Sequence, residues 1–471
     1  MRAIQPDNRS FGSDVYARRF IILAFCYLLF GLTLGVAGGF QYILPDFLKD
    51  ILSFQKTRPL HVYLVITWIF TASQGAIYYF IPRVAGKELT WRAGVKWHFI
   101  LQLAVSLLII TCFFMGKFGG REYLEFPPLI GGLILLSWLP FAANFFLTLR
   151  RSFKNAPVYL WSWGTGILFF YITVAESYLW LLDHFNNNII RDITVQWKAL
   201  GSMVGSWNML VYGAAMYAME KVSGDKKIAR SGTAFALYFL GLTNLMFNWG
   251  HHTYIVPAAA WIKTVAYLVS MTELLILGHI IWKMRRTITA ARKNYHIVPF
   301  RFLSFADAWI FINLVLAILI SVPAINLYTH GTHITVAHAM GATIGINTML
   351  LMGVIFYVIR DSRPYAVQNR SGHTGIWMIV TNVSLLVFFL SLIGSGFVRM
   401  FGKLHGGSFY TIMENSKPWF RAFSLSGVVL LVGLTALCLI AIRLLARKKP
   451  IIREEFFIEV RKGILEEERL N

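Results

Sequence analysis

Histidines at positions 61, 251, 252 and 338 each lie at the edge of, or inside, a run of roughly twenty apolar residues. Ionisable side chains at membrane depth are costly and usually functional. Neutral imidazole is the commonest metal ligand and a standard axial ligand of haem iron. One such histidine reads as readily as a satisfied core residue; four of them point towards metal or haem chemistry. His251 and His252 are neighbours, about 100° apart on a helix, and could converge on one metal only near a helix end. His338 and Met340 are two residues apart, about 200° around a helix, so they face opposite flanks. One helix could therefore ligate two haems, because Met is also an axial ligand and tends to raise the potential. Met340 taken alone reads equally as one of 15 methionines in an apolar chain.

The elements that must position these residues are membrane helices. Of 471 residues, 57% are hydrophobic and only 14% charged, against roughly 25% charged in soluble domains. Apolar runs fall near 20–43, 60–82, 97–116, 128–149, 157–182, 200–219, 232–250, 259–282, 304–326, 334–359, 373–398 and 422–446. Each is long enough to cross a hydrocarbon core of about 30 Å. The expected fold is all-α, a polytopic membrane protein of about twelve transmembrane helices forming one domain over 1–471. No cleavable leader is evident, and the first run reads as the first span. The net charge of +22 reads as topology charge against membrane lipid, not as a nucleic-acid footprint. Cys26, Cys112 and Cys438 lie inside apolar runs and share no pairing or metal spacing.

Roughly three quarters of the 44 Lys and Arg residues lie at the two termini and on the loops after even-numbered spans. Both termini are accordingly expected to be cytoplasmic. His61 opens span 2, the 251–252 pair closes span 7, and His338 lies one turn into span 10. All four are thus expected in the outer third of the membrane.

The chain resembles the large subunit of the cytochrome c-dependent nitric oxide reductases, within the haem–copper oxidase superfamily. The resemblance covers nearly the whole length. It is carried by Gly120-Arg121-Glu122-Tyr123-Leu124-Glu125, Gly250-His251-His252, Ser270-Met271-Thr272-Glu273 and Tyr328-Thr329-His330-Gly331-Thr332, leading to Ala337-His338. It implies a haem–copper oxidase subunit I-like fold in the inner membrane of a bacterium. It further implies a low-spin haem b on His61, a high-spin haem on His338, and a non-haem iron on His251 and His252. Glu122 would contribute to a calcium site, and Glu273 would be a catalytic carboxylate near the non-haem metal.

Two departures from that family stand out. Met340 takes the place of the second low-spin haem histidine, which would leave a His61/Met340 pair. The family's third iron histidine and two glutamates lie early in span 6. Anchored on Asn188 and Arg191-Asp192, they would fall on Gly201, Gly205 and Met209. None of these can ligate iron or carry a proton as the family requires, and iron is better held by a fuller shell such as two His and a carboxylate. Nearby, Lys198 reads as a snorkelling residue and Asn208 as a helix–helix hydrogen-bonding residue.

The implied function is a haem-containing membrane oxidoreductase subunit. It would pass electrons from a cytochrome c-type partner to a high-spin haem that binds NO or another small diatomic. Only about sixteen residues join spans 1 and 2, which disfavours a quinol-dependent form with a fused outer domain. The alternative is a divergent haem subunit serving electron transfer, sensing or assembly without turnover. A haem-free transporter leaves the histidines unexplained and lacks an internal repeat.

Overall fold

The computed structural model describes residues 9–272, 293, 295–363 and 371–446. Lipid offers no hydrogen bonds to the backbone, so each apolar run must satisfy its own amides, and it does so as helix. In chain order the long helices are α1 (Asp14–Gln41), α2 (Phe54–Ala85), α3 (Arg92–Phe114), α4 (Pro128–Leu149), α5 (Val158–Glu176), α6 (Ile189–Ser223) and α7 (Gly232–Phe247). They continue as α8 (260–272, its described part), α9 (Ile297–Ser321), α10 (His333–Ser362), α11 (Ser371–Leu404) and α12 (Phe409–Ala446).

Among the described residues, nine of these helices are long and apolar enough to cross a membrane. The other three differ for separate reasons. The long α6 is the more polar, α7 has 16 residues, and α8 runs into residues outside the described set. No strand occurs among the described residues; the one ladder contact is an isolated bridge from Arg121 to Leu124.

Local signals set several boundaries. Asn188 caps α6 by accepting from the Ile190 and Arg191 amides at 3.0 and 3.2 Å. The helix stops at Gly224, which takes the left-handed φ of 71°. Thr332 caps α10 through the Ile334 amide. Immediately after Met340, α10 widens into a π-helical stretch, Gly341–Thr348. There Asn347 and Thr348 donate side-chain hydrogen bonds to carbonyls five residues back. Such widening is rare and recurs at functional sites.

Packing places the ligand-bearing helices at the centre. In the most apolar windows of α2 and α10, 83% of residues are buried inside the protein, against 28% in α3. Those two helices carry His61, His338 and Met340. α1 lies along α2, α5 along α6, and α11 along α12. One end of the bundle is tied by Arg83, which donates to Asp14 at 2.8 Å, and by the Tyr79 hydroxyl, which donates to Asp361 at 2.7 Å. His61, two turns into α2, and His338, in the second turn of α10, lie away from that end.

Candidate functional site

His61 sits two turns into α2 and faces α1. Its Nδ1 lies 2.7 Å from the Gly31 carbonyl oxygen, which can only accept. Nδ1 therefore carries the proton, and Nε2 keeps its lone pair for a metal. The ring fits because Gly35 has no side chain: a Cβ there would stand 2.7 Å from two ring atoms.

Met340 is partly buried and packs against the apolar core. His338, two residues earlier, lines a cavity of about 220 Å³ whose walls do not include Met340. The two side chains thus serve different flanks of α10. The Nδ1 of His338 is buried with no hydrogen-bond partner. The cavity is mostly apolar and also takes in His251, Asn248, Ser270 and Asn208.

His251 and His252 lie in a 3₁₀ turn, Asn248–Thr253, directly after α7. The helix end brings their rings to a centroid distance of 4.3 Å. Asn248 Oδ1 accepts from Ser270 Oγ at 2.6 Å and lies 3.2 Å from His251 Nδ1. With Oδ1 in that place the proton sits on Nδ1 and Nε2 keeps its lone pair. His252 stacks on Trp197 of α6, at 4.3 Å and nearly parallel. His330, from the turn before α10, completes the group 6.1 Å from His252. His330 and Trp197 carry no site signal of their own in the sequence, although His330 stands inside the Tyr328–Thr332 stretch.

The third metal ligand does not materialise. Gly201 and Gly205 point at α7 and the turn after it, not into the cavity. A Cβ on Gly201 would lie 2.4 Å from Trp249 Cβ, and one on Gly205 would lie 2.7 Å from Leu245 Cα. This is small-xxx-small packing, in which two backbones approach closely. Met209 is 4% exposed and does not line the cavity. The face of α6 that does line it carries Val204, Asn208 and Tyr212. Lys198 donates to Glu176 in an ion pair, which accounts for its charge. Among the described residues, no three His, Cys, Asp or Glu side chains are grouped to hold a metal ion. Glu273 lies outside the described residues.

Glu122 and Glu125 stand on the loop between α3 and α4, and one guanidinium bridges them. Arg58, three residues before His61 on α2, donates to Glu125 Oε1 at 2.9 Å and also to Glu122. Glu125 Oε2 is buried without a partner. Burial pushes the Glu125 carboxyl above the usual carboxylate range, Arg58 pulls it down by less, and Glu122 raises it further. Arg121 in the same loop pairs with Asp192 at 2.9 Å.

The donor sets answer differently to the groups they are expected to hold. Haem fits: two enclosed helices present imidazoles, the ring of His61 is oriented by a backbone acceptor, and a largely apolar cavity opens at His338. Non-haem iron finds two histidines and no third donor among the described residues. Calcium takes six to eight oxygens, so Glu122 and Glu125, already shared with Arg58, do not suffice by themselves.

Over residues 15–429 the chain matches the family described as cytochrome c and quinol oxidase polypeptide I. It is 22% identical over 425 residues to a nitric oxide reductase subunit of Stutzerimonas stutzeri, covering 84% of this chain and 86% of that protein. To the Cbb3-type cytochrome c oxidase subunit CcoN1 of the same organism it is 21% identical, covering 92% and 95%. Cytochrome c oxidase subunit 1 of Rhodobacter capsulatus is 20% identical, covering 73% and 68%. A solved heme-copper terminal oxidase dimer shares the fold with a TM-score of 0.71 at 14% identity, covering 94% of this chain and 86% of that one.

Proposed function

Since the chain belongs to the haem–copper oxidase subunit I family, we propose that it is a haem-bearing oxidoreductase subunit of the nitric oxide reductase type. It lies in the cytoplasmic membrane of a bacterium, with both termini inside, and forms a single transmembrane domain. His61 and Met340 would hold a low-spin haem b. His338 would hold a high-spin haem in the cavity that His251 also lines. Electrons come from a separate cytochrome c-type subunit, and the ligand is NO or another small diatomic. One observation carries this reading: the two most enclosed helices, α2 and α10, bear the candidate haem ligands, with His61 locked in the metal-binding tautomer by Gly31.

When bound, haem supplies electron transfer at six-coordinate iron and ligand binding at five-coordinate iron. The protein's own part is positional. Gly31 holds the Nδ1 proton of His61 so that Nε2 is always the free nitrogen. Asn248, itself fixed by Ser270, does the same for His251. The mostly apolar cavity wall suits an uncharged diatomic. Arg58, one turn from His61, is held in place by its pairs with Glu122 and Glu125.

A second reading is favoured by the close packing at Gly201 and Gly205. Without a third donor from α6, the protein carries haem for electron transfer, sensing or assembly and does not join two NO molecules at a paired centre. A pyridine haemochrome assay with iron analysis on the purified protein separates the readings. Two haems are expected; none overturns both. Iron beyond the haem iron supports turnover, and its absence supports the second reading.

A further inference from the structure

The widened stretch of α10 bears on which way its two ligand candidates face. A π-helix closes its hydrogen bonds one residue later than an α-helix, so a stretch of it inserts about one residue into the ladder. Gly341–Thr348 is such a stretch and lies directly after Met340. In an unbroken α-helix, Met340 and His338 would stand about 80° to either side of Thr348. One inserted residue brings Met340 to about 20° from Thr348 and puts His338 on the opposite side. The cavity wall follows this widened pitch: His338, Ala342, Ile346 and Leu350 line it at steps of four. Over the same length a regular α-helix would drift about 120° away from the cavity.

Thr348 does not line that cavity. Its hydroxyl is held from two directions, accepting from Trp68 Nε1 of α2 at 3.2 Å and donating to the Thr343 carbonyl at 2.9 Å. Both side chains are buried, so neither has water as an alternative partner. The ties Trp68–Thr348 and Tyr79–Asp361 show that α2 and α10 run parallel. Seven residues before Trp68, on the same stripe of α2, stands His61. Eight before Thr348, one of them the inserted residue, stands Met340. α9 braces the widened backbone as well, since a Cβ on Gly345 would stand 2.5 Å from Trp309 Cδ2.

We propose that Trp68 and Thr348 are positioning residues for Met340. By pinning the inserted residue of α10 against α2, they turn the thioether towards His61 and turn His338 away from it. The consequence for haem rests on the functional reading above; the azimuth of Met340 rests on helix geometry alone. One hydroxyl makes the choice testable, because Val keeps the branched shape of Thr and has no donor or acceptor.

Cross-linking reads the azimuth without haem. In full-length protein carrying C26S, C112S and C438S, His61→Cys is combined with either Met340→Cys or His338→Cys and treated with a short bifunctional thiol reagent. The 61–340 pair is expected to cross-link about tenfold more than the 61–338 pair, since a linker that cannot span two sites joins almost none of them. Thr348→Val and Trp68→Phe are expected to remove most of that excess, and Thr348→Ser to keep it. Equal yields in the parent protein, or an excess that survives both Thr348→Val and Trp68→Phe, overturn the proposal. With the native ligands in place, Thr348→Val is expected to move the low-spin haem potential in the same direction as Met340→His, and Thr348→Ser to restore it. A variant that melts earlier with its potential unmoved would make Thr348 a structural residue only and overturn its positioning role. The haem count reports separately on the functional reading: a cross-link that depends on Thr348 in protein without haem would remove that reading and keep the positioning, and two haems with an indifferent cross-link would do the reverse.

Discussion

Two helix seams in this protein are built on glycines four residues apart, and they do opposite things. At the α1–α2 seam, the missing side chain of Gly35 makes room for the His61 ring and the Gly31 carbonyl is its hydrogen-bond acceptor, while Leu64 and Val65 of α2 pack over Gly31. At the α6–α7 seam, Gly201 and Gly205 admit the main chain of the neighbouring element itself, at Trp249 and Leu245. The first seam seats a ligand side chain; the second uses up the space in which a ligand would stand. The spacing of small residues signals close approach in both cases. What approaches is decided by the facing helix.

The strongest way to break that contrast is to remove the ligand from the working seam. His61→Ala is expected to abolish the low-spin haem and leave the high-spin haem, halving the haem per chain in a pyridine haemochrome assay. His338→Ala is expected to do the converse. If either variant keeps both haems, the ligand assignment is wrong.

Filling the notches comes next. Gly35→Val should push His61 out of line and cut low-spin haem content by about half or more, since overpacked sites force side chains off their rotamers. Gly205→Val should instead separate α6 from α7, costing about 1–3 kcal/mol, with the low-spin haem spectrum intact. Thermal unfolding read beside visible spectra distinguishes a lost seat from a loosened seam.

The metal beside the high-spin haem offers a third test. Gly201→His should bind no added iron, because its side chain meets Trp249. Val204→His, on the cavity face of α6, should raise iron above the haem equivalent in elemental analysis. A gain in Gly201→His and none in Val204→His would reverse the assignment of the two helix faces.

Smaller effects follow at the edges of the first seam. Met340→His should lower the low-spin haem potential by an amount on the order of 0.1 V, Met being the ligand that raises it. An unchanged redox titration would show that Met340 does not bind iron. The least effect is expected at Glu125. Burial outweighs Arg58 and holds its carboxyl above the ordinary range in the folded protein. Folding therefore favours the protonated form, and that stability is present at low pH and is lost as pH rises through the folded value. Glu125→Gln should flatten this slope in melting temperature against pH, and an unaltered slope would place its origin elsewhere.

Much of the arrangement is legible in the residues themselves. Lipid forces apolar runs into helix, so the runs mark the cores of the described helices, while ends such as Ile189 of α6 and Phe409 of α12 lie well before the expected starts at 200 and 422. Two residues are about 200° apart on any helix, so His338 and Met340 had to diverge. The resemblance to nitric oxide reductases rests on short stretches in order, and the family membership agrees with it. Other parts are hidden. Nothing in the residues around Arg58 announces that it joins Glu122 and Glu125, because the partners lie 64 and 67 positions away. His330 joins the histidine group only through a turn that folds it back on Trp197.

What sequence alone determined was an inventory: apolar helices, a set of imidazoles and a thioether at matching helix ends, and the absence of histidine or carboxylate at the expected positions of span 6. What only the tertiary structure decided was rotation and room. Helical periodicity relates residues of α6 to one another at about 100° per step, but it does not say which azimuth faces the cavity. Contact with α7 turns Gly201 and Gly205 into the seam and leaves Val204, Asn208 and Tyr212 facing the site. Backbones that close to within a Cβ diameter exclude a ligand however well its spacing fits.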